Sequence, residues 1–311
     1  MSEFVPTENG VPIRQPSTAN LMIDSNDRSL TVYPFPWDFT IQKKNSILNG
    51  FFTRIGVAEV VLNWNIPNVQ PTTTGVTFTV VRSGVTKTVT LGFPSVLSGN
   101  DTGGFYTVSE ALDSICSLLN TAYTTAGLFV ISGTAGDPSL TFIGTSDSSN
   151  FTITPTSLSA RLGFDATESA INIPAHQIVL PPNLLPTRYI DIVSQALTYN
   201  QSLKDGTTNA QNRDVLVRWY FAPDNVYQTV DKYGFPILQG YSPFYIRRLF
   251  NPAKQIRWMP NMPIGNLDFQ VFLDNGALVS SIDQITADYV TEAIPVVANG
   301  GFLMTLQVSE V

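Results

Sequence analysis

One histidine, His176, and one cysteine, Cys116, stand among 311 residues. The side chains that most often carry nucleophilic or metal chemistry are therefore nearly absent. Any zinc site needing two or more histidines is excluded. His176 has no Cys, Asp or Glu beside it, and reads as a linker or domain-junction histidine rather than a ligand or general base. Cys116 lies between Ile115 and Ser117, inside a helical pattern. A catalytic cysteine wants a helix N-terminus or an electropositive pocket, so a small core or boundary residue is the better reading.

The carboxylates are more numerous but scattered. "DSNDRS", Asp24 to Ser29, places two together, and hard cations such as calcium take oxygen ligands. The spacing misses an EF-hand, and an Asx-type turn explains the cluster better. Asp137, Asp205, Asp224 and Asp274 fall in turns, where Asp has a local backbone role. A glycosidase pair that meets only in space stays open at this level. No G-x-S-x-G, P-loop or G-x-G-x-x-G motif occurs. "NGG", Asn299 to Gly301, is a turn and not a phosphate cradle. The expectation is a protein with no catalytic residues, no cofactor and no metal.

Recognition chemistry concentrates in "YSPFYIRRLFNPAKQIRWM", Tyr241 to Met259. Tyr, Trp and Arg are the residues that interface hot spots favour. Tyr241, Tyr245, Arg247, Arg248, Arg257 and Trp258 are the candidate subunit interface. The plainer alternative is two ordinary strands, with Phe244, Ile246 and Leu249 inward and Arg247 outward.

The elements that must carry these residues are mostly strands. "NLMID" and "WDFTI" are short candidates, with Pro34 and Pro36 interrupting pairing between them. Asn49-Gly50 is a turn signal before "RIGVAEVVLNWNIPNV", in which Ala58, Val60, Leu62 and Trp64 form one apolar face. Glu59, Asn63 and Asn65 lie opposite and suit solvent or subunit contact. Residues 71–178 differ in character. "GVTFTVV" and "VTKTVTL" flank "RSG" as a hairpin. "TVSEALDSICSLLNTAYTTAG" reads as a helix, opened by a Thr107/Glu110 capping box. Val108, Leu112, Ile115, Leu119 and Ala122 recur at helical spacing, and Gly127 is a C-terminal stop. "LFVISG" and "SLTFIGT" flank "TAGDP", followed by "NFTIT" and a helical turn "SLSARLGF". This reads as an inserted α+β domain of about 90–110 residues.

From about Gln177 the β character resumes. The candidates are "HQIVL", "RYIDIVSQ", "DVLVRWYF", "PFYIRRLF", "QIRWM", "LDFQVFL", "LVSS" and "GFLMTLQV", with Asp274-Asn275-Gly276 as the sharpest hairpin. Residues 20–70 and 179–311 thus supply roughly eight to ten short strands, which suits a single jelly-roll β-sandwich of two packed sheets. Residues 1–19 are polar, contain proline and lack periodicity. They read as a flexible arm that orders on a partner.

Composition agrees with a folded β protein. Hydrophobic residues make up 43% and charged residues 13%, about half the usual charged share. The net charge is −7, and basic residues are scattered apart from Lys43-Lys44 and Arg247-Arg248. Nothing resembles a phosphate-tracking patch, so direct nucleic-acid binding is not expected. One cysteine permits no intramolecular disulfide and fits a reducing compartment. No signal peptide or membrane span is expected. Sequons at Asn100, Asn150 and Asn200 read as chance matches.

Several stretches recur together in order: "ANLMIDSNDRS", "NSILNGFFTRIGVAEVVLNWNIPNV", "LPTRYIDIVSQALTYNQSLKDGTT", "RDVLVRWYF", "PFYIRRLFNPAKQIRW" and "LDFQVFLDNG". Combined, they resemble the penton (minor capsid, vertex) proteins of Polinton-like viruses, virophages and related double-stranded DNA viruses. The similarity covers residues 20–70 and 185–275 best. It implies a jelly roll that forms a homopentamer at the fivefold vertices of an icosahedral capsid, among double-jelly-roll major capsid protein trimers. It further implies a place in the virion, assembly inside the host cell, and an insertion facing outward toward a host receptor or fibre. Two other readings remain at this level: a receptor- or carbohydrate-binding β-sandwich of a viral fibre or spike, and a β-sandwich hydrolase.

Overall fold

The computed structural model describes residues 4–6, 12–14, 18–42, 54–69, 75–92, 104–124, 128–133, 141–144, 150–198, 215–221, 229–242, 244–257, 265–279 and 300–309. The chain opens with β1 (Phe4–Pro6) and β2 (Pro12–Arg14), which pair with each other. The expected arm thus contains one antiparallel pair of short strands. Strands β3 (Thr18–Asp24), β4 (Asp38–Gln42) and β5 (Arg54–Trp64) follow. The chain then departs through β6 (Thr77–Arg82), β7 (Val85–Thr90) and helix α1 (Val108–Ala122). Strands β8 (Phe129–Ser132), β9 (Thr141–Gly144) and β10 (Phe151–Thr154) come next. The short helices α2 (Ser157–Arg161) and α3 (Ala166–Ser169) and strand β11 (Ala175–Gln177) complete the excursion. The return runs through β12 (Tyr189–Val193), a helical turn α4 (Gln195–Thr198) and β13 (Val215–Tyr220). It ends with β14 (Phe244–Arg257), β15 (Asn266–Leu273) and β16 (Gly301–Ser309).

Eight of these strands form two antiparallel four-stranded sheets, ordered β14-β5-β16-β3 and β13-β12-β15-β4. Counted along those eight alone, the first strand lies beside the eighth and the second beside the seventh. That double Greek-key wrapping is the jelly roll. Alternation explains why the sheets stack. Phe302, Met304, Leu306 and Val308 of β16 point inward, as do Leu267, Phe269, Val271 and Leu273 of β15. They share one core with Trp37, Trp64, Trp219, Phe39 and Phe221. Each buried aliphatic or aromatic side chain contributes about 1.5–3 kcal/mol.

Antiparallel pairing also sets the two ends of the sandwich. Asp24 lies opposite Leu303, and Thr18 opposite Ser309. The β3–β4, β5–β12, β13–β14 and β15–β16 connections therefore gather at one end. The N-terminal segment leaves from the other.

On β5 the expected apolar face is not continuous. Val60, Leu62 and Trp64 enter the core, but Ala58 does not belong to that face. Glu59 pairs with Thr305 and Val57 with Leu306, so Ala58 is an extra residue, a β-bulge. Beyond it the inward positions switch parity to Ile55 and Val57. "PFYIRRLF" and "QIRWM" are also not two strands. Their described residues, 244–250 and 255–257, belong to the single β14, whose register with β5 shifts between Leu249 and Lys254. Of "LVSS", the described Leu278 forms an isolated bridge with Phe272 beyond the Asp274–Gly276 turn.

The excursion forms two three-stranded sheets, β10-β6-β7 and β11-β9-β8, packed with α1 around a second core. Ser83 and Gly84 take the positive φ that a two-residue hairpin turn demands. The Thr107/Glu110 capping box is formed, and Val108, Leu112, Ile115 and Leu119 are buried. The helix is capped at Tyr123. Phe78, Phe129, Phe142, Phe151 and Phe164 pack ring against ring. Gly163 sits at φ +91, where a Cβ would collide with the Leu180 carbonyl. The sequence expectation places "HQIVL" among the resumed sandwich strands. Its β11 instead pairs β9 inside the excursion. Asn49-Gly50, Gly127, "TAGDP", Lys43-Lys44, Asp137, Asp205, Asp224 and Asn299 lie outside the described residues, as do Asn100 and Asn200.

Candidate assembly surfaces

The residues with chemical potential are locked into structure. His176 is not a linker residue but a buried member of β11. Its Nε2 is 3.0 Å from the Phe151 carbonyl oxygen, and its ring centroid is 4.7 Å from that of Phe151. Burial lowers its pKa, against the opposing pull of the Phe151 and Glu168 carbonyls. Cys116 is buried in α1, and burial, aided by Asp113, pushes its thiol up to about 12. A thiol so far from its thiolate is a poor nucleophile.

Asp24 accepts the Asn26 N–H at 2.8 Å, the expected Asx-type turn. Among the described residues no three His, Cys, Asp or Glu side chains gather to hold a metal. No helix of the described residues is long and apolar enough to cross a membrane.

The aromatic and basic stretch divides between three places. Tyr241 does not reach the surface. It is buried in the second core, where its hydroxyl accepts the Leu184 N–H at 3.2 Å. Tyr245, 72% exposed, lies opposite Asn63, on the outer face of its sheet. Arg247 is also outward and ion-pairs with Glu59, an exposed pair that solvent screens, so that it adds little to stability. Arg248 turns inward, and its guanidinium lies 4.6 Å from the ring centre of buried Trp219. Leu249, assigned inward by the plainer alternative, is 64% exposed. It lies opposite Glu59, and residues directly opposite share a face. Arg257 pairs its backbone with Arg54, and Trp258 lies outside the described residues. On the other sheet, Arg218 grips buried Asp191 in a bidentate pair at 2.7 and 2.8 Å.

The residues that hold the excursion to the sandwich carry little local signal in the sequence. Asn68, on the outgoing linker, exchanges two hydrogen bonds with the Tyr106 backbone, at 2.7 and 2.9 Å. Arg161 of α2 donates to the carbonyls of Asn68 (2.9 Å), Asn183 (3.4 Å) and Leu184. One guanidinium therefore staples the outgoing and returning linkers together. A third tie comes from the β13–β14 connection. Asp231 accepts N–H bonds from Ser109 of α1, Tyr233 and Phe235 at 2.9, 3.0 and 3.0 Å. Tyr233 donates to Asp113 at 2.7 Å, and Lys232 ion-pairs with the same carboxylate. Phe235 and Tyr241 then enter the second core. The only local signal for this strap was an Asp beside aromatic residues in "DKYGF".

Two further features share the end where the excursion sits. Loop 25–37 is built around buried Arg28, which donates to the carbonyls of Ser25, Tyr33 and Pro34 at 2.7, 3.0 and 3.0 Å. Its tip carries Leu30 and Val32, 64% and 65% exposed. At the root of the excursion, a cleft of about 510 Å³ is lined by Ala160, Arg161, Pro181, Asn183, Leu185 and Pro186.

No family model matches the chain, and no curated protein matches it. Among solved structures the chain is similar to the crystal structure of the mavirus penton protein, at 13% identity and a TM-score of 0.44. That match covers 96% of this chain and 100% of that one. It is also similar to a chain of the Sputnik virophage structure by cryo-EM, at 13% identity and a TM-score of 0.46. There 95% of this chain and 97% of the other are covered.

Proposed function

We propose that the chain is a structural capsid protein, the homopentameric penton at the fivefold vertices of an icosahedral double-stranded DNA virus. The observation that carries this reading is the polarity of the jelly roll. The N-terminal segment leaves from one end and the excursion stands on the other. A shell protein needs such an inside and outside, and the ordered stretches that resemble penton sequences supply its strands. A protein of this kind acts by geometry, through heterologous contacts that close a ring. In the vertex, the N-terminal segment orders against double-jelly-roll major capsid protein trimers, exchanging segment entropy for contact. The excursion faces outward, where a host receptor or fibre would meet it. The role is non-enzymatic, in a virion assembled inside the host cell.

The test is the mass of the purified chain by native mass spectrometry, alone and mixed with major capsid protein. Five-copy rings that enter particles are expected. A stable monomer that never enters particles would sink the proposal, and stable trimers would point to a fibre. Removal of residues 1–17, just before β3, should leave the ring intact but reduce particle yield.

A further inference from the structure

We propose that the ring is closed by loop 25–37 of one copy docking in the cleft at the root of the next copy's excursion. This rests on the reading of the chain as a ring-forming protein, and it names the contact.

Chemistry matches on the two sides. The loop tip presents Leu30 and Val32 to solvent beside Asp27, an exposed carboxylate with no hydrogen-bond or ion-pair partner among the described residues. The cleft presents Ala160, Pro181, Leu185 and Pro186 beside the Arg161 guanidinium. Arg161 is bonded to three backbone carbonyls and to no carboxylate among the described residues. Among the described residues the half-buried cation in the cleft thus has no counter-charge, and neither has the anion that the loop carries. Two aliphatic side chains and one carboxylate suit a cleft of about 510 Å³.

The loop is also preorganised. Arg28 fixes its backbone from within through three carbonyls. Tyr33 N–H and Val32 N–H both donate to the Ser29 carbonyl, at 2.7 and 3.1 Å. Trp37, wholly buried, anchors its exit. A loop already ordered in the free protein loses little entropy on docking.

Position makes the contact intermolecular. The loop joins β3 to β4, which occupy the same lateral edge of their sheets. The cleft residues 181–186 lead into β12, next to β13 at the opposite edge. Leu30 and Val32 stand exposed, so the loop does not fill its own cleft. A projection at one edge and a recess toward the other make a head-to-tail contact, the kind that closes a ring.

Two single variants test this: Leu30→Asp, which spoils the projection, and Ala160→Trp, which fills the recess at an exposed position. Both changes are on the surface, and unchanged near-ultraviolet circular dichroism would verify the fold. Sedimentation velocity of wild type should show rings. Each variant alone should be monomeric, with self-association weakened more than tenfold. Mixed one to one, the intact projection of Ala160→Trp meets the intact recess of Leu30→Asp, and assembly stops at a heterodimer. Wild-type rings with variants that still form rings, or a mixture that stays monomeric, would overturn this contact and leave the ring proposal standing. A wild type that stays monomeric at every concentration, with or without major capsid protein, would overturn both.

Discussion

Asp191 and Arg218 show how burial decides which half of an ion pair matters. The Asp191 side chain is 2% exposed and the Arg218 side chain 40%. Arg218 also lies 4.1 Å from the ring centre of Tyr189. Removing the arginine leaves a carboxylate buried in the β13-β12-β15-β4 sheet without a counter-charge, the costly way to break such a pair. Removing the aspartate leaves a guanidinium that water can reach. Arg218→Ala should therefore cost about 3 kcal/mol and Asp191→Ala about 1 kcal/mol, read from urea unfolding midpoints. Equal losses, or a larger loss for Asp191→Ala, would show that the pair is effectively solvent-exposed. The sequence announced neither member. "RYIDIVSQ" and "DVLVRWYF" read as strands, but the register that sets Asp191 opposite Arg218 is a long-range fact. Tyr241 misled for the same reason: a tyrosine beside a strand looks the same whether its loop meets solvent or a second core.

At the scale of elements, locally encoded features were legible and parity across long pairings was not. The Ser83-Gly84 turn and the Thr107/Glu110 box depend on neighbours within four residues. The parity of β5 depends on a bulge that Ala58 does not advertise, because a small apolar residue suits either face. Leu249 is a different case: it keeps the alternation of Tyr245 and Arg247 through the first paired run of β14, and only its apolar side chain suggested the inward face. The bulge makes a sharp prediction. Deleting Ala58 leaves Glu59 outward and Val57 inward, in step with Thr305 and Leu306. That variant should fold, with altered local twist and a loss of about 1 kcal/mol, the ordinary cost of a single change. Deleting Val61 instead shifts parity within the strand and turns either Leu62 and Trp64 or Val57 and Val60 away from the core. Its cost, by analogy with truncating buried Leu or Trp, is more than about 3 kcal/mol. Thermal unfolding monitored by tryptophan fluorescence separates the two. Equal damage from both deletions would show that the bulge is required for the fold itself.

At the scale of the molecule, we propose that the excursion is a domain completed by residues from beyond 71–178. The composition change placed it at 71–178, yet its core takes in Leu184, Phe235 and Tyr241 from beyond that range. The strap from the β13–β14 connection supplies the last two, and no local pattern could reveal that a sandwich loop completes a neighbouring core. Simply replacing residues 75–172 by a short linker would strip the cover from these side chains. A freshly exposed patch with Phe235 and Tyr241 favours association, while the sandwich core around Trp37, Trp64 and Trp219 stays closed. The shortened chain should therefore aggregate, and adding Phe235→Ser and Tyr241→Ser should restore a soluble sandwich with buried-tryptophan emission. Light scattering and fluorescence of the two variants decide the matter. If the first variant is already as soluble as the full chain, the strap contributes nothing to the second core. If the second still precipitates with exposed tryptophans, the sandwich needs the excursion in order to fold, and the two cores make one cooperative unit. Restoration by those two serines alone would locate the dependence at the strap. The jelly roll would then be the autonomous frame, and the excursion an addition fastened to it by Asn68, Arg161 and Asp231.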